Sequence, residues 1–372
     1  MSTLKTTNLQ HASAASPAIV LASDGTATAQ LSSLNGGALS GARNRIINGD
    51  MRIDQRNAGA SVTANDDVHP LDRWKFAATQ SSKGTSQRST TAPAGFTNSL
   101  LFTSSSAYSV LTSDSFIIRQ LIEGFNVADL GWGAAGAAYV TLSFWVRSSL
   151  TGTFGVVLSN NAQNRCYPVS YTISAANTFE YKTITIPGDT TGTWLADNGI
   201  GLRVNFGLGV GSTFNGTSGS WSSSTFTGVT GATSVVGTNG ATFYITGVQL
   251  EAGSVATPFE RRSFGQELAL CQRYFQPVGV GAYGRSNSTT SVEMTAKYNV
   301  AMRATPTITF GGFSGAVTTL DQFGVGSITA SAVTSSFGNQ NGGHLVFTVS
   351  GATNGADCAS IRGDLASASA EL

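Results

Sequence analysis

The stretch YVTLSFWVR, residues 139–147, constrains the fold more than any other. Val140, Leu142, Phe144 and Val146 alternate there with Thr141, Ser143, Trp145 and Arg147. Successive side chains of an extended chain point to opposite faces, so a strict period of two predicts a strand with one buried and one solvated face. GLRVNFGLG repeats the pattern with Leu202, Val204, Phe206 and Leu208 against Arg203, Asn205 and Gly207. TFGVVLSN, FEYKTITIPG and ATFYITGVQLE continue it, separated by clusters of Gly, Asn and Ser. Many short strands with turn signals between them predict a mainly β chain, and residues 44–262 read as a jelly-roll β-sandwich.

The flanks read differently. Residues 1–43 are polar and weakly patterned, with short extended runs around an Asp24-Gly25 turn. Such a segment orders on a partner surface, so it reads as an attachment segment. Residues 277–372 return to β patterning and predict a second, smaller β-sandwich. Residues 209–240 form a long, nearly uncharged loop with room for a short strand pair.

One segment breaks the β pattern. In SFGQELALCQRYFQ, residues 263–276, Phe264, Leu268, Cys271 and Phe275 recur at helical spacing. Ser263 suits the N-cap, Glu267 favours the helix dipole, and Pro277 closes the segment. Three turns are too short to persist alone in water. The stripe must pack on the sandwich before it, on the domain after it, or on copies of itself. The last option makes Phe264, Leu268, Cys271 and Phe275 a candidate oligomer interface.

Composition narrows the function. Only 11% of residues are charged and the net charge is +1, so the chain lacks the electrostatic footprint of a nucleic-acid binder or an anionic-membrane binder. Cys166, Cys271 and Cys358 are far apart, which fits reduced thiols rather than a disulfide framework or a zinc site. No run approaches the ~20 apolar residues of a membrane span, and the first residues lack a signal peptide's apolar block. Synthesis in a cytoplasm without membrane insertion is the expectation.

NRIINGDMRIDQRN (44–57), PLDRW (70–74), VQLEAGSVATPFERR (248–262) with ELALCQRYF, and MRATPTITF (302–310) occur in this order. In these motifs the chain resembles bacteriophage tail fibre-like virion proteins, notably of marine phages, and its N-terminal MSTLKTTNLQHASAASPAIVLASDGTATAQL is similar too. The resemblance implies a virion structural protein, commonly an elongated homotrimer, made in the host cytoplasm. It further implies a central domain similar to carbohydrate-binding-module jelly rolls. Residues 1–43 would contact other virion proteins, and a host cell-surface glycan would be the ligand. The motifs themselves read as scaffold. Asn48-Gly49-Asp50 is a turn between two extended runs, Arg52, Asp54 and Arg56 are placed to pair with charges such as Glu251 or Glu260, and Trp74 is a core anchor.

Candidate sites are few. No nucleophile elbow, HExxH or P-loop is present, and the seven Glu are scattered singly, so the reading is non-enzymatic. Asp66, Asp67 and Asp72 in NDDVHPLDR are a candidate calcium site, since that cation takes six to eight oxygens. The alternative is a polar turn ahead of Trp74. No other cofactor is implied. Trp132, Trp194 and Trp221 lie among Gly and Ser on loops, where they either stack on sugar rings or pack over a sandwich edge. Tyr283, Arg285 and Asn287 in GAYGRSNS are a second candidate glycan tip. The leading expectation is a tail fibre attaching the virion to its host through multivalent glycan contacts. The alternative is a capsid decoration or collar fibre with a purely architectural role.

Overall fold

The computed structural model describes residues 8–9, 19–21, 23, 27–29, 43–278, 283–310, 318–322, 326–350, 352, 357–361 and 366–372. Asn8–Leu9 (β1), Ile19–Leu21 (β2) and Ala27–Ala29 (β3) pair as a small antiparallel sheet. Most of the attachment segment expected at residues 1–43 lies outside the described residues.

The central unit uses Val62–Thr63 (β4), Trp74–Ala78 (β5), Gly84–Ser89 (β6), Ser99–Ser104 (β7), Ser115–Glu123 (β8), Val140–Ser148 (β9), Gly152–Ser159 (β10), Cys166–Ile173 (β11), Glu180–Ile186 (β12) and Ile200–Val210 (β13). After the short parallel pair Asn215–Gly216 (β14) and Gly228–Val229 (β15), held within the long loop, Thr242–Ala252 (β16) completes it. Two sheets result, ordered β11-β10-β13-β8-β5 and β12-β9-β16-β7-β6-β4. The chain passes from one sheet to the other at most connections, as in a jelly roll. The predicted inward residues fill the space between the sheets: Leu142, Phe144, Val146, Leu202, Val204 and Phe206 are all fully buried. Phe144 stands edge-on to Phe206 at 5.2 Å, and Phe76 stacks on Phe102 at 5.5 Å. Each such ring contributes roughly 1.5–3 kcal/mol through removal from water.

The segment 44–54 makes the expected turn at Asn48-Gly49-Asp50, closed by Met51 N to Asn48 O at 3.2 Å. It forms no strand. It runs as a buried, irregular plug in which Asn48 and Met51 take left-handed backbone angles of 56° and 60°. Buried polar backbone needs partners, and the Asn48 side chain supplies them. Its amide donates to Ile53 O (2.8 Å) and Asp72 O (2.9 Å), while its oxygen accepts from Ile53 N (2.9 Å). Trp74, fully buried as expected, donates its indole N–H to Asn48 O at 2.9 Å. Asn48 N donates in turn to Glu267 on the helix.

That helix, Phe264–Gln272 (α1), starts with a capping box between Ser263 and Gln266. It ends at Gln272, earlier than the expected 276, because Phe275–Val278 (β17) is already extended. Pro277 therefore lies in an edge strand, where its missing N–H is tolerated. The residues that bury are Glu267, Cys271 and Tyr274, with Cys271 and Tyr274 packed on Ile47 and Ile53 of the plug. Among the described residues no helix is long and apolar enough to cross a membrane.

The C-terminal unit is not a second sandwich. Tyr283–Ser288 (β18), Ser291–Lys297 (β19), Thr307–Phe310 (β20), Thr318–Gln322 (β21), Gly326–Asn339 (β22), Gly342–Ser350 (β23), Asp357–Ile361 (β24) and Ala366–Ser369 (β25) divide into two sets. Six close into a barrel ordered β18-β19-β23-β22-β21-β24, while β17-β25-β20 form a separate sheet. Register shifts in the β22–β23 ladder bend the longest strand, and β18 pairs with β24 to close the ring and remove its edges.

The quoted motifs converge where this unit meets the sandwich. Arg273 forks onto Glu123 with contacts of 3.2 and 2.7 Å, and Tyr274 donates to the same carboxylate at 2.7 Å. Arg303 of MRATP donates to Ala370 O at 2.9 Å. Glu371 receives Arg73 and Arg56, the latter at 2.7 Å. Arg52 instead pairs with Asp50 at 2.5 Å, and Asp54 caps the turn at Asn57 N (2.9 Å). The expected partners Glu251 and Glu260 are engaged elsewhere, with Thr257 and with Asn44 N.

Candidate functional site

The outward face of the six-stranded sheet carries an open groove of about 720 Å³. Strand alternation places it. With Leu142, Phe144 and Val146 committed to the core, Ser143, Trp145 and Arg147 must face outward on β9. The β12–β9 register sets Tyr181 opposite Trp145 and Thr183 opposite Ser143. The Trp145 and Tyr181 rings lie 5.4 Å apart, inclined at 45°. Residues Phe96, Phe259 and Arg261 form the other wall, with Val255 and Pro258 closing one end.

A bulge in β16, between Thr246 and Gln249, opens the floor. Gly247 sits in it with φ +59°, and a Cβ there would meet Phe96 Cζ at 2.7 Å and Trp145 Cδ1 at 3.1 Å. Only glycine keeps both rings at the groove. Beyond the floor, Gln249 and Glu251 bond to the chain around Thr257, which fixes the loop that carries Pro258 and Phe259.

Trp145 differs from the other four tryptophans. Trp74, Trp132, Trp194 and Trp221 each donate the indole N–H to an acceptor of this chain, at distances from 2.7 to 3.2 Å. Among the described residues Trp145 makes no such bond. An indole with a partly exposed face and an unused donor can stack on a sugar's C–H surface and bond one of its hydroxyls.

The three loop tryptophans proposed from sequence come together elsewhere. Trp132 stands edge-on to Trp194 at 4.7 Å and to Trp221 at 5.4 Å, with Trp194 and Trp221 5.6 Å apart. All three are partly buried and pack against the core as well as edge-on to one another, as a cluster at the sandwich edge. Arg165 and Asp189 hold it, paired through two 2.7 Å contacts, and Asp189 also accepts from Trp194 at 3.3 Å.

Tyr283, Arg285 and Asn287 fall on strand β18 rather than on a loop. Arg285 and Asn287 are exposed, and Asn287 donates to Glu293 at 2.8 Å across the hairpin.

The calcium site does not form. Asp66 accepts from Ala78 N at 3.2 Å, Asp67 pairs with Lys75, and Asp72 turns inward to accept two 3.0 Å bonds from Gln55. Three carboxylates with three separate sets of partners cannot enclose one cation. Among the described residues no group of three or more His, Cys, Asp or Glu converges as metal ligands do. Burial raises the Asp72 carboxyl, against the lowering by Gln55 and Arg56.

The candidate oligomer stripe is divided. Phe264 is exposed and Leu268 partly so, but Cys271 and Phe275 are buried. Cys271 packs within its own chain, and Phe275 lies on a strand with the Arg56 guanidinium 3.6 Å from its ring centre. Those two are therefore unavailable to a partner. The helix packs on the plug, and Glu267 bonds the plug backbone as well as favouring the helix dipole.

Alternation in YVTLSFWVR places Trp145 on the outward face, but a strand tryptophan carries no local sign of being a platform, unlike one set among Gly and Ser. Nothing local in the sequence marks Phe96 or Phe259. The outward face of FEYKTITIPG, with Tyr181, Thr183 and Thr185, was the one usable hint.

No protein-family model and no curated protein matches the chain. Distant structural likenesses exist. The enzymatically active domain of tailspike protein 4 from bacteriophage CBA120 aligns with 14% identity and a TM-score of 0.32, over 56% of this chain and 21% of the tailspike chain. The present chain thus spans about a fifth of that tailspike's length. A family 11 carbohydrate-binding module from Clostridium thermocellum, in complex with a mixed-linked tetrasaccharide, aligns with 14% identity and a TM-score of 0.28 over 54% and 100%. The module TmCBM61, in complex with galactotriose, aligns with 9% identity and a TM-score of 0.25 over 48% and 88%. The functional reading rests on the groove.

Proposed function

We propose that this protein is a phage virion structural protein, a tail fibre that attaches the particle to its host by binding glycan in the Trp145 groove. The observation that carries glycan binding is the pairing of Trp145 with Tyr181 on an open sheet face, beside the exposed hydroxyl of Thr183. Aromatic rings take the C–H faces of sugars, and hydroxyls take their edges. The virion assignment comes from the order of motifs along the chain. Residues 1–43 dock on other virion proteins, and the chain assembles as a homotrimer, which light scattering would report as three times the 38.3 kDa chain mass. Weak grooves repeated over three chains and several fibres gain avidity of roughly 10²–10⁴ without any new contact. The reading is non-catalytic. The groove lining holds no Asp, Glu, His or Cys to act as acid, base or nucleophile.

A glycan array probed with the purified full chain tests this. Binding is expected, and it should disappear in Trp145→Ala and in Tyr181→Ala at unchanged melting temperature. Undiminished binding in both variants would move the site off the groove.

The purely architectural alternative, a capsid decoration or collar fibre, draws support from the junction. Arg56 and Arg73 fasten Glu371 of the C-terminal unit to the first motif of the sandwich, which couples the two units. Immunogold labelling of virions separates the two, since label confined to the head would remove the tail assignment.

A further inference from the structure

The arginines of this protein differ in their partners, and some, such as Arg88, Arg203 and Arg303, bond backbone carbonyls. Arg45, Arg52, Arg56, Arg73, Arg165 and Arg273 each meet a carboxylate within its ion-pairing distance. Two arginines on the groove's face do not. The Arg261 guanidinium lies 4.8 Å from the Phe96 ring centre and 5.7 Å from that of Phe259, with one bond to Gly95 O at 2.6 Å. Arg147 lies 5.0 Å from Tyr244 and 5.9 Å from Phe179. Among the described residues neither has a carboxylate within ion-pair range, and the groove lining has no acidic residue.

Arg261 lines the groove with Trp145, and Arg147 lies beyond the lining on the same sheet face. Arg147 is two residues along the same strand and on the same face. Arg261 stacks on Phe96, the ring that Gly247 allows to stand beside Trp145. Stacking holds a guanidinium by its flat side and leaves the edge N–H groups to a planar acceptor, which a carboxylate fits with two parallel bonds. The groove thus joins an aromatic platform to donors carrying positive charge and supplies no negative charge to repel an anion. A neutral sugar would use the platform and leave both charges uncompensated.

We infer that the saccharide taken by the groove is acidic, an oligosaccharide whose sugar rings carry carboxylates, bound by Trp145 and Tyr181 on the ring faces and by Arg261 and Arg147 on the carboxylates. This rests on the glycan-binding reading of the same groove.

Affinity electrophoresis of the full chain through gels containing alginate or polygalacturonate, and through gels containing the carboxyl-reduced form of each polymer, tests it. Retardation by at least one uronate polymer is expected, about tenfold weaker with its reduced form and falling as salt rises from about 0.05 to about 0.5 M. Arg261→Met should weaken uronate binding about tenfold at unchanged melting temperature, and Trp145→Ala should abolish it. Equal retardation by uronate and reduced polymers, still lost in Trp145→Ala, overturns the acidic inference and leaves the groove reading standing. So does Trp145-dependent binding of a neutral glycan alone. Absence of Trp145-dependent binding throughout overturns both.

Discussion

Arg56 and Glu371 stand 315 positions apart in sequence and 2.7 Å apart in space, Nη2 to Oε1. The second oxygen of Glu371 receives Arg73, whose guanidinium lies 3.5 Å from the Tyr274 ring centre. Glu371 is thereby held against the first motifs of the sandwich. Burial works to raise the Glu371 carboxyl, but Arg73, His69 and Arg56 outweigh it and hold it below its ordinary range.

Glu371→Gln keeps the shape and removes the charge, leaving Arg56 and Arg73 without their shared partner. Breaking one side of a buried pair costs about 3–5 kcal/mol, so the urea midpoint followed by tryptophan fluorescence should fall accordingly. An unchanged midpoint would show that the tie adds no stability.

His69 introduces a pH dependence of its own. Burial is the main cause that brings it down to about 4, so the folded state holds it neutral where the unfolded chain would bind a proton. Stability from this group is complete above about pH 6.5 and is lost as pH falls towards about 4, up to about 3 kcal/mol in all. Glu371, held below its ordinary range, loses its contribution only at lower pH. Melting temperatures across this range should slope downward with acidification in the parent protein and less so in His69→Gln.

Gly247→Ala places a Cβ against Phe96 and Trp145 at a backbone angle that favours glycine. A loss of about 1–3 kcal/mol is expected, together with altered tryptophan fluorescence. Gly265→Ala is the control. It lies in the helix with nothing within 4 Å of its Cβ, so it should be neutral or stabilising by up to about 1 kcal/mol.

The thiols give a simple readout. Cys166 and Cys271 are buried, and burial raises both, Cys271 well above its ordinary value. In a Cys358→Ser background, Ellman's reagent should find no reactive thiol at mildly alkaline pH and two after denaturation. Rapid labelling of Cys271 in the native protein, located by peptide mapping, would mean that the helix opens from the plug.

Local pattern alone determined the strands and the character of the central unit. Alternation in YVTLSFWVR committed Leu142, Phe144 and Val146 to a core and Trp145 to the outside, because neighbouring side chains on a strand cannot share a face. The helix start was equally legible, since Ser263 and Gln266 sit close enough in sequence to cap one another. What required tertiary structure was every relationship between distant segments. Local sequence cannot say that Asp72 would turn to Gln55 rather than to Asp66, that three loop tryptophans would meet edge-on in one cluster, or that Glu371 would return to Arg56. Barrel closure depends on β18 meeting β24, a pairing between strands far apart in the chain that no local period encodes. The groove is of the same kind. Trp145 faces Tyr181 through register and clears Phe96 through a bulge at Gly247, and these geometries exist only once the strands are side by side.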